Sequence, residues 1–350
     1  MHILNVMLGK KAGGVEQAAL DYHRALTGQG HRVTNVTRPG AWADARLDAW
    51  GAARLSLPHV AEWDPIAAFR LRRMMARLAP DAVIAHSNRA LGLCLAASRG
   101  RWPVIAVTHN YSIRRVVKAD AVLCITEDLR ARVVALGVAP DRVFHIPNMV
   151  EIEVPVHGPD AHRPPVIGAL GRFVEKKGFD CYIDALGLLR RRGIDFRAIL
   201  GGKGELGEAL HARAVAAGLG DLLAFPGWIE DRDAFYAGID LFCLPSRHEP
   251  FGIVAIEAFA HGVALVSTAS EGPREIVDGE NGVLVPIDDA PALADAIAAL
   301  LADDARRQKI AAAGRAAAIE CYSMEAGGRR LSDALRRIIP PPRPPGTCSP

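Results

Sequence analysis

Apolar strands alternate with helical patterns along this chain, stop once, and then start again, and that rhythm constrains the fold more than any single motif. Strand-like runs at 2–8, 32–36, 82–85, 104–108, 121–125 and 143–146 come first. Gly13-Gly14-Val15-Glu16-Gln17 opens a helix running to about Leu26, where Gly28-Gln29-Gly30 stops it. Such alternation means βαβ units and a parallel sheet. A Pro-, His- and Gly-rich stretch at 153–165 breaks the pattern. Strands are then expected at 166–170, 196–200, 223–225, 241–244, 264–267 and 282–285, and helices at 179–191, 211–217, 234–237, 253–261, 290–302 and 305–319. A length of 350 residues favours two domains. The expected division is one Rossmann-like domain at 1–155, a linker at 156–165 and a second Rossmann-like domain at 166–325. A terminal helix at 326–339 would pack back on the first domain, and the Pro-rich tail at 340–350 would be disordered. The fold class is α/β, with two doubly wound domains facing a central cleft that holds the ligand at the carboxyl ends of the strands.

The segment from Pro245 to Glu257 (PSRHEPFGIVAIE) carries the chemistry most clearly. It follows the apolar run 239–244, so it reads as strand, loop, helix. The backbone amides of Phe251, Gly252 and Ile253 would lie at the helix start, where the macrodipole favours an anion. Gly252 lets a ligand approach the backbone closely. Glu249, in the loop, and Glu257, about one turn into the helix, can reach opposite ends of a bound phosphate ester as acceptors for sugar hydroxyls. The plainer reading is a parallel-sheet unit with solvated glutamates. Glu257 speaks against it, because Val254, Ile256, Ala258 and Phe259 around it are apolar and a glutamate is seldom buried unpaired.

Other strand ends add candidates. Gly171-Arg172-Phe173-Val174-Glu175-Lys176-Lys177-Gly178 follows the first strand of the second half. There Arg172 offers a planar fork and Lys177 a point charge, suited to a diphosphate, whereas Lys176 reads as solvated. Gly201-Gly202-Lys203-Gly204 is a tight strand exit that matches neither a dinucleotide fingerprint nor a P-loop. Gly13-Gly14 could bring amides to an anion, or be simply a helix start. His109 and His86 each end a strand.

Several classes drop out. No run is long enough to span a membrane, and the first residues enter a strand without a signal-peptide layout, so a cytoplasmic protein is expected. The six cysteines are scattered, no ligand cluster suggests a metal, and there is no nucleophile elbow. Residues 1–150 hold 20 Lys and Arg against 11 Asp and Glu, a balance of +9, and the remainder holds 22 against 28, a balance of −6. One half is therefore suited to an anionic partner. A nucleic acid is not expected to be that partner.

Taken together, these segments resemble the family 4 retaining glycosyltransferases of the GT-B type, a group that includes bacterial lipopolysaccharide-core and phosphatidylinositol mannosyltransferases. The likeness runs through Gly13-Gly14-Val15-Glu16, Thr108-His109-Asn110, Gly171-Arg172 to Lys177-Gly178, Phe225-Pro226-Gly227-Trp228, Glu249 to Glu257, and Glu271-Gly272-Pro273-Arg274-Glu275. It implies that Arg172 and Lys177 hold the donor diphosphate and stabilise charge as the glycosidic bond breaks. It further implies that Glu257 accepts from ribose hydroxyls and Glu249 from the donor sugar, cradled by the amides of Phe251, Gly252 and Ile253. His109 would contact the sugar near the breaking bond, Gly14 and Gly202 would leave room for the donor, and Ile229 would meet the base. The implied donor is a UDP- or GDP-linked sugar and the acceptor a glycan or lipid-linked saccharide of the cell envelope, with no cofactor or metal. Lys203 stands where the family often has an acidic residue, and Thr126 where a serine is common.

The basic half has its own candidates. Arg70, Arg72, Arg73 and Arg77 share one amphipathic helix, and Arg114, Arg115 and Lys118 lie close to His109 in sequence, with Lys10 and Lys11 in the loop before Gly13. They are expected to face an acidic acceptor or the anionic inner face of the cytoplasmic membrane. Competing functions are a GT-B-fold sugar-nucleotide epimerase, a phosphorylase and a non-catalytic sugar-nucleotide sensor. The joint presence of Arg172, Lys177, Glu249 and Glu257 favours catalysis of transfer.

Overall fold

A computed structural model of the chain describes residues 1–61, 63–156 and 164–339. These residues form two units, one made of Met1–Met149 together with the chain from Met324 onward, the other of Val150–Ser323. The boundary falls six residues earlier than the expected end at 155. Val150 donates its amide to the Tyr322 carbonyl (2.8 Å) and makes a parallel bridge with Ser323, which draws the chain from Val150 into the second unit. Most of the expected linker at 156–165 and the whole tail at 340–350 lie outside the described residues.

The first unit contains β1 (His2–Met7), α1 (Gly14–Gly28), β2 (Arg32–Thr37), α2 (Trp42–Ala49), β3 (Arg54–Ser56), α3 (Pro65–Leu78), β4 (Ala82–Ala85), α4 (Asn88–Ser98), β5 (Val104–Thr108), β6 (Ala121–Cys124), α5 (Glu127–Ala135) and β7 (Val143–His145). Its seven strands are all parallel, in the order β3-β2-β1-β4-β5-β6-β7. β4, β5 and β6 are buried along their whole length, as expected of a parallel sheet covered by helices on both faces. Local caps set the helix starts. Asp64 Oδ1 accepts from the amides of Ile66 (3.0 Å) and Ala67 (2.9 Å) ahead of α3, with Pro65 at its first position. The hydroxyl of Thr126 accepts from the Leu129 amide at the start of α5, the task a serine would perform.

The second unit contains β8 (Val166–Leu170), α6 (Phe179–Arg191), β9 (Arg197–Gly201), α7 (Gly207–Ala216), β10 (Leu223–Gly227), α8 (Arg232–Ala237), β11 (Leu241–Leu244), α9 (Ile253–Ala260), β12 (Ala264–Thr268), α10 (Pro273–Ile276), β13 (Val283–Val285), α11 (Ala290–Ala302) and α12 (Asp304–Ala317). Its parallel sheet has the order β10-β9-β8-β11-β12-β13. Phe179, Tyr182, Ile183, Leu186 and Leu189 of α6 pack with Ile167, Leu200 and Leu241 from the strands and Leu293, Ile297 and Leu300 from α11 in one core.

A final helix, α13 (Met324–Ile338), buries Leu331, Ala334 and Leu335 in the core of the first unit, against Tyr22 and Leu26 of α1. α2, β3, α4, α5 and the one-turn α10 have no counterpart in the sequence reading. α2 buries only Ala43 and Leu47, too few to write an apolar stripe, and β3 is three half-buried or exposed residues at a sheet edge.

Candidate functional site

In both sheets the strand order reverses once, between β1 and β4 and between β8 and β11. Loops leaving neighbouring strands at such a point diverge to opposite faces and leave a crevice at the strands' carboxyl ends. In the second unit those loops are Gly171–Gly178 after β8 and Pro245–Gly252 after β11. They lie against each other through backbone. The Lys176 carbonyl accepts from the amides of Arg247 (2.9 Å) and His248 (3.2 Å). Gly178 sits at φ 62°, and a Cβ there would come 2.1 Å from the Pro245 carbonyl oxygen, so only glycine permits this approach. The result brings two sequence candidates together: the Lys177 ammonium is hydrogen-bonded to the Glu249 carboxylate. Arg247, absent from the sequence reading, ties the loops further. Its fork reaches Asp180 (2.7 and 2.9 Å), the Glu175 carbonyl (2.8 Å) and Asp288 (2.6 Å).

Glu257, on α9, is largely buried and has two donors on one oxygen. Arg232 Nη1 and the Tyr236 hydroxyl, both from α8, each lie 3.0 Å from its Oε2. Among the described residues the other oxygen takes no hydrogen bond, so it remains able to accept from a ligand. The pairing that a buried glutamate requires is thus supplied partly by the protein, by residues 25 and 21 positions earlier. Gly252 caps α9 at φ 104° with no side-chain cap bond. Among the described residues the amides of Phe251, Gly252 and Ile253 have no acceptor, as orphan donors at a helix start. Beside them, Glu271 accepts from the Glu249 amide (3.1 Å) and pairs with His248 Nδ1 (3.0 Å). Burial alone would raise the Glu271 carboxyl, but the bonds from His248 and from the backbone hold it below the usual carboxylate range.

Arg172 stands exposed just past β8, without a partner among the described residues. Behind it the strand exits stack: the Gly171 amide donates to Gly201 (3.0 Å) and the Gly202 amide to Gly227 (2.7 Å). Ile229 closes over Gly201, where its Cγ1 would be 2.5 Å from an added Cβ. Lys203 leans its chain over Gly227.

His109, Gly14, Lys10 and Lys11 belong to the first unit. Gly14 is the first residue of α1, and the carboxylate of Glu16 folds back over Gly9 and Gly13, 1.7 Å and 2.7 Å from where their Cβ atoms would be. Lys10 and Lys11 are exposed. His109, half-buried after β5, faces His86, buried after β4, with Nε2 and Nδ1 3.1 Å apart. Burial pushes the His109 imidazole down to about 4, and burial, with the neighbouring His109 as a second cause, holds that of His86 well below its ordinary value. Both rings are neutral at neutral pH. Asn5, whose Oδ1 is 2.7 Å from His86 Nε2, escaped the sequence reading. The signal was available, since an asparagine inside the apolar run of β1 needs a buried partner.

α3 corrects one expectation. Its exposed face carries Ile66, Phe69, Arg70, Arg73 and Arg77, at helical spacing, while Ala67, Leu71 and Met75 are buried. Arg72 flanks that face instead of sharing it: at 100° per residue it lies about 120° round the helix from the centre of that face, and its Nη1 is buried without a partner among the described residues. Arg114, Arg115 and Lys118 are exposed on and before a short turn at Val116–Lys118. Among the described residues there is no group of three His, Cys, Asp or Glu side chains able to hold a metal ion. No described helix is long and apolar enough to cross a membrane.

Comparison with known proteins accords with this geometry. Residues 12–154 match the model of Glycosyltransferase Family 4, and residues 155–317 that of Glycosyl transferases group 1. The lipopolysaccharide core biosynthesis glycosyltransferase LpsE of Rhizobium meliloti is 31% identical, over 94% of this chain and 96% of that protein. A GDP-mannose-dependent α-(1-6)-phosphatidylinositol monomannoside mannosyltransferase of Mycolicibacterium smegmatis is 29% identical, over 78% of this chain and 80% of its own. Among solved structures, Anabaena HepE in complex with UDP and glucose superposes with a TM-score of 0.82 over 95% of this chain and 98% of its own, at 20% identity, a likeness of fold. Sequence and fold together place the chain among the family 4 glycosyltransferases with the GT-B fold.

Proposed function

We propose that this glycosyltransferase is a retaining, metal-independent hexosyltransferase of cell-envelope glycan synthesis, using a UDP- or GDP-linked donor. The observation that carries the reading is the grouping of Lys177, Glu249, the free amides of Phe251 to Ile253 and Glu257 around one strand-order reversal. The diphosphate is held by Arg172 and Lys177, which offset the charge that grows on the leaving oxygen. Glu257 uses its open oxygen for ribose hydroxyls, while Arg232 and Tyr236 keep the other in place. Glu249 accepts from hydroxyls of the sugar. Paired with Lys177, it is a poor nucleophile, which favours transfer at the front face over a covalent glycosyl-enzyme. In that step the bond from C1 to the phosphate oxygen breaks, the acceptor oxygen bonds to C1 on the same face, and the acceptor's proton passes to the leaving phosphate oxygen.

The acceptor reading extends to the surface of the first unit. Val60, Trp63, Ile66 and Phe69 are 93%, 83%, 62% and 60% exposed, and Arg70, Arg73 and Arg77 continue the same face of α3. Apolar and aromatic side chains beside arginines suit the headgroup boundary of an anionic bilayer, where a lipid-linked acceptor would lie.

The test is a screen of the purified chain against common sugar nucleotides, reading thermal stabilisation and slow donor hydrolysis, followed by the anomeric configuration of the transferred sugar. Stabilisation by one nucleotide sugar and retention at C1 are expected. No response to any donor overturns the reading, and an inverted product overturns its stereochemistry.

A further inference from the structure

Behind His109 runs a line of buried polar side chains that the transfer chemistry does not use. Asn5 on β1 and Asn35 on β2 are register partners in the parallel ladder. Asn5 Nδ2 donates to the Ala19 carbonyl (2.9 Å) and to Asn35 Oδ1 (3.0 Å), so both of its protons are committed and its own Oδ1 faces His86. Asn35 Nδ2 in turn reaches His23 Nδ1 (3.1 Å) and the Ala53 carbonyl (3.3 Å). Asn5, Asn35, His86 and His23 are all buried, and Tyr22 packs edge-on against the His86 ring at 4.9 Å.

Proton counting then fixes every bond. An amide oxygen has no proton, so the 2.7 Å contact of His86 Nε2 with Asn5 Oδ1 requires His86 to donate. A neutral imidazole has one N–H, so His86 Nδ1 is an acceptor. His109 Nε2, 3.1 Å away, must therefore donate to it. The hydrogen bonds run one way from His109 through His86, Asn5 and Asn35 to His23.

We propose that His86 and Asn5 are positioning residues that lock His109 as the Nε2–H tautomer, leaving Nδ1 a pure acceptor suited to a sugar hydroxyl and unable to donate to a phosphate oxygen. The assignment of a sugar to that nitrogen rests on the donor-site reading of His109, whereas the tautomer does not. Burial of both rings opposes the doubly protonated form that would undo the lock.

The test is long-range proton–nitrogen NMR of the full chain with ¹⁵N-labelled histidine at pH 7, in the wild type and in Asn5→Leu, His86→Phe and His86→Asn variants. The wild type should show His86 and His109 neutral, with the proton on Nε2. Asn5→Leu removes the acceptor for His86, and His86→Phe removes the acceptor for His109. In both, the His109 signals should shift toward mixed tautomers, while those of His31, whose Nε2 lies 2.8 Å from the Ser332 hydroxyl of α13 in the same unit, stay in place and report that this unit is folded. His86→Asn keeps a carbonyl oxygen near the former Nδ1 and should retain the Nε2–H form. A wild-type His109 protonated on Nδ1, or His109 signals unchanged in both Asn5→Leu and His86→Phe, overturns the proposal. Neither result depends on which sugar is transferred, so this test can fail while the donor screen succeeds.

Discussion

Lys177 and Glu249 are 72 residues apart in sequence, and they meet because β8 and β11, which launch their loops, are neighbours in the second sheet. Each neutralises the other, so a diphosphate entering beside Lys177 competes with a charge already in place. Removing Lys177 or Arg172 as alanine should cut turnover at saturating donor by roughly a hundredfold or more, the scale for loss of a stabiliser of transition-state charge. Steady-state kinetics decide it. Near-normal turnover in both variants is incompatible with the assigned role.

Gly178→Ala should act on the same site through the backbone. Its Cβ would meet the Pro245 carbonyl at 2.1 Å, and φ 62° is itself strained for alanine. The cost should exceed about 1 kcal/mol in the urea midpoint, and turnover should fall with it as Lys177 is displaced from Glu249. A variant with unchanged midpoint would show that the two loops do not need this approach.

Stability should depend on pH below neutrality. Unfolded, His86 and His109 bind protons near 6.5, whereas in the folded chain burial lowers His109 to about 4 and holds His86 well below its ordinary value. Between those values the unfolded chain holds more protons, so stability is greatest above 6.5 and falls as pH drops toward 4. Each histidine contributes a slope of at most about 1.4 kcal/mol per pH unit. Urea titrations at several pH values, compared with His86→Phe, should show a shallower slope in the variant.

Vesicle binding should require anionic lipid and weaken with salt, as the Debye length falls from ~10 Å at 0.1 M to ~3 Å at 1 M. Arg73→Glu with Arg77→Glu, or Trp63→Ser with Phe69→Ser, should release the protein while leaving donor hydrolysis intact. Equal sedimentation with neutral and anionic vesicles would remove the bilayer from the account.

Activity is expected to survive excess EDTA, with the arginine and lysine of the β8 loop supplying the positive charge. Complete loss reversed by manganese or magnesium would mean that a divalent ion shares the diphosphate with them.

What could be read in advance followed from local chemistry. The alternation of strand and helix, the glycine at φ 104° before α9 and the need for a partner at Glu257 are written in adjacent residues. The partners themselves are not: Arg232 and Tyr236 reach Glu257 only because α8 and α9 pack side by side, and His86 reaches His109 across the β4–β5 ladder. Arg72 was misplaced because charge on a helix suggests solvent, and only the orientation of α3 on its sheet shows which arginines look outward. α2 and β3 were missed because they bury almost nothing that would leave a periodic trace.

The return of α13 to the first unit sets an order of events during synthesis. Val150 to Ser323 is one uninterrupted stretch and can complete its own core as soon as it has left the ribosome. The first unit, although translated earlier, lacks Leu331, Ala334 and Leu335 until the chain has been extended through α13. The half made first is therefore finished last, and meanwhile Tyr22 and Leu26 of α1 lack their covering helix. Shortening the chain at Ser323 would accordingly damage the half at the opposite end of the sequence.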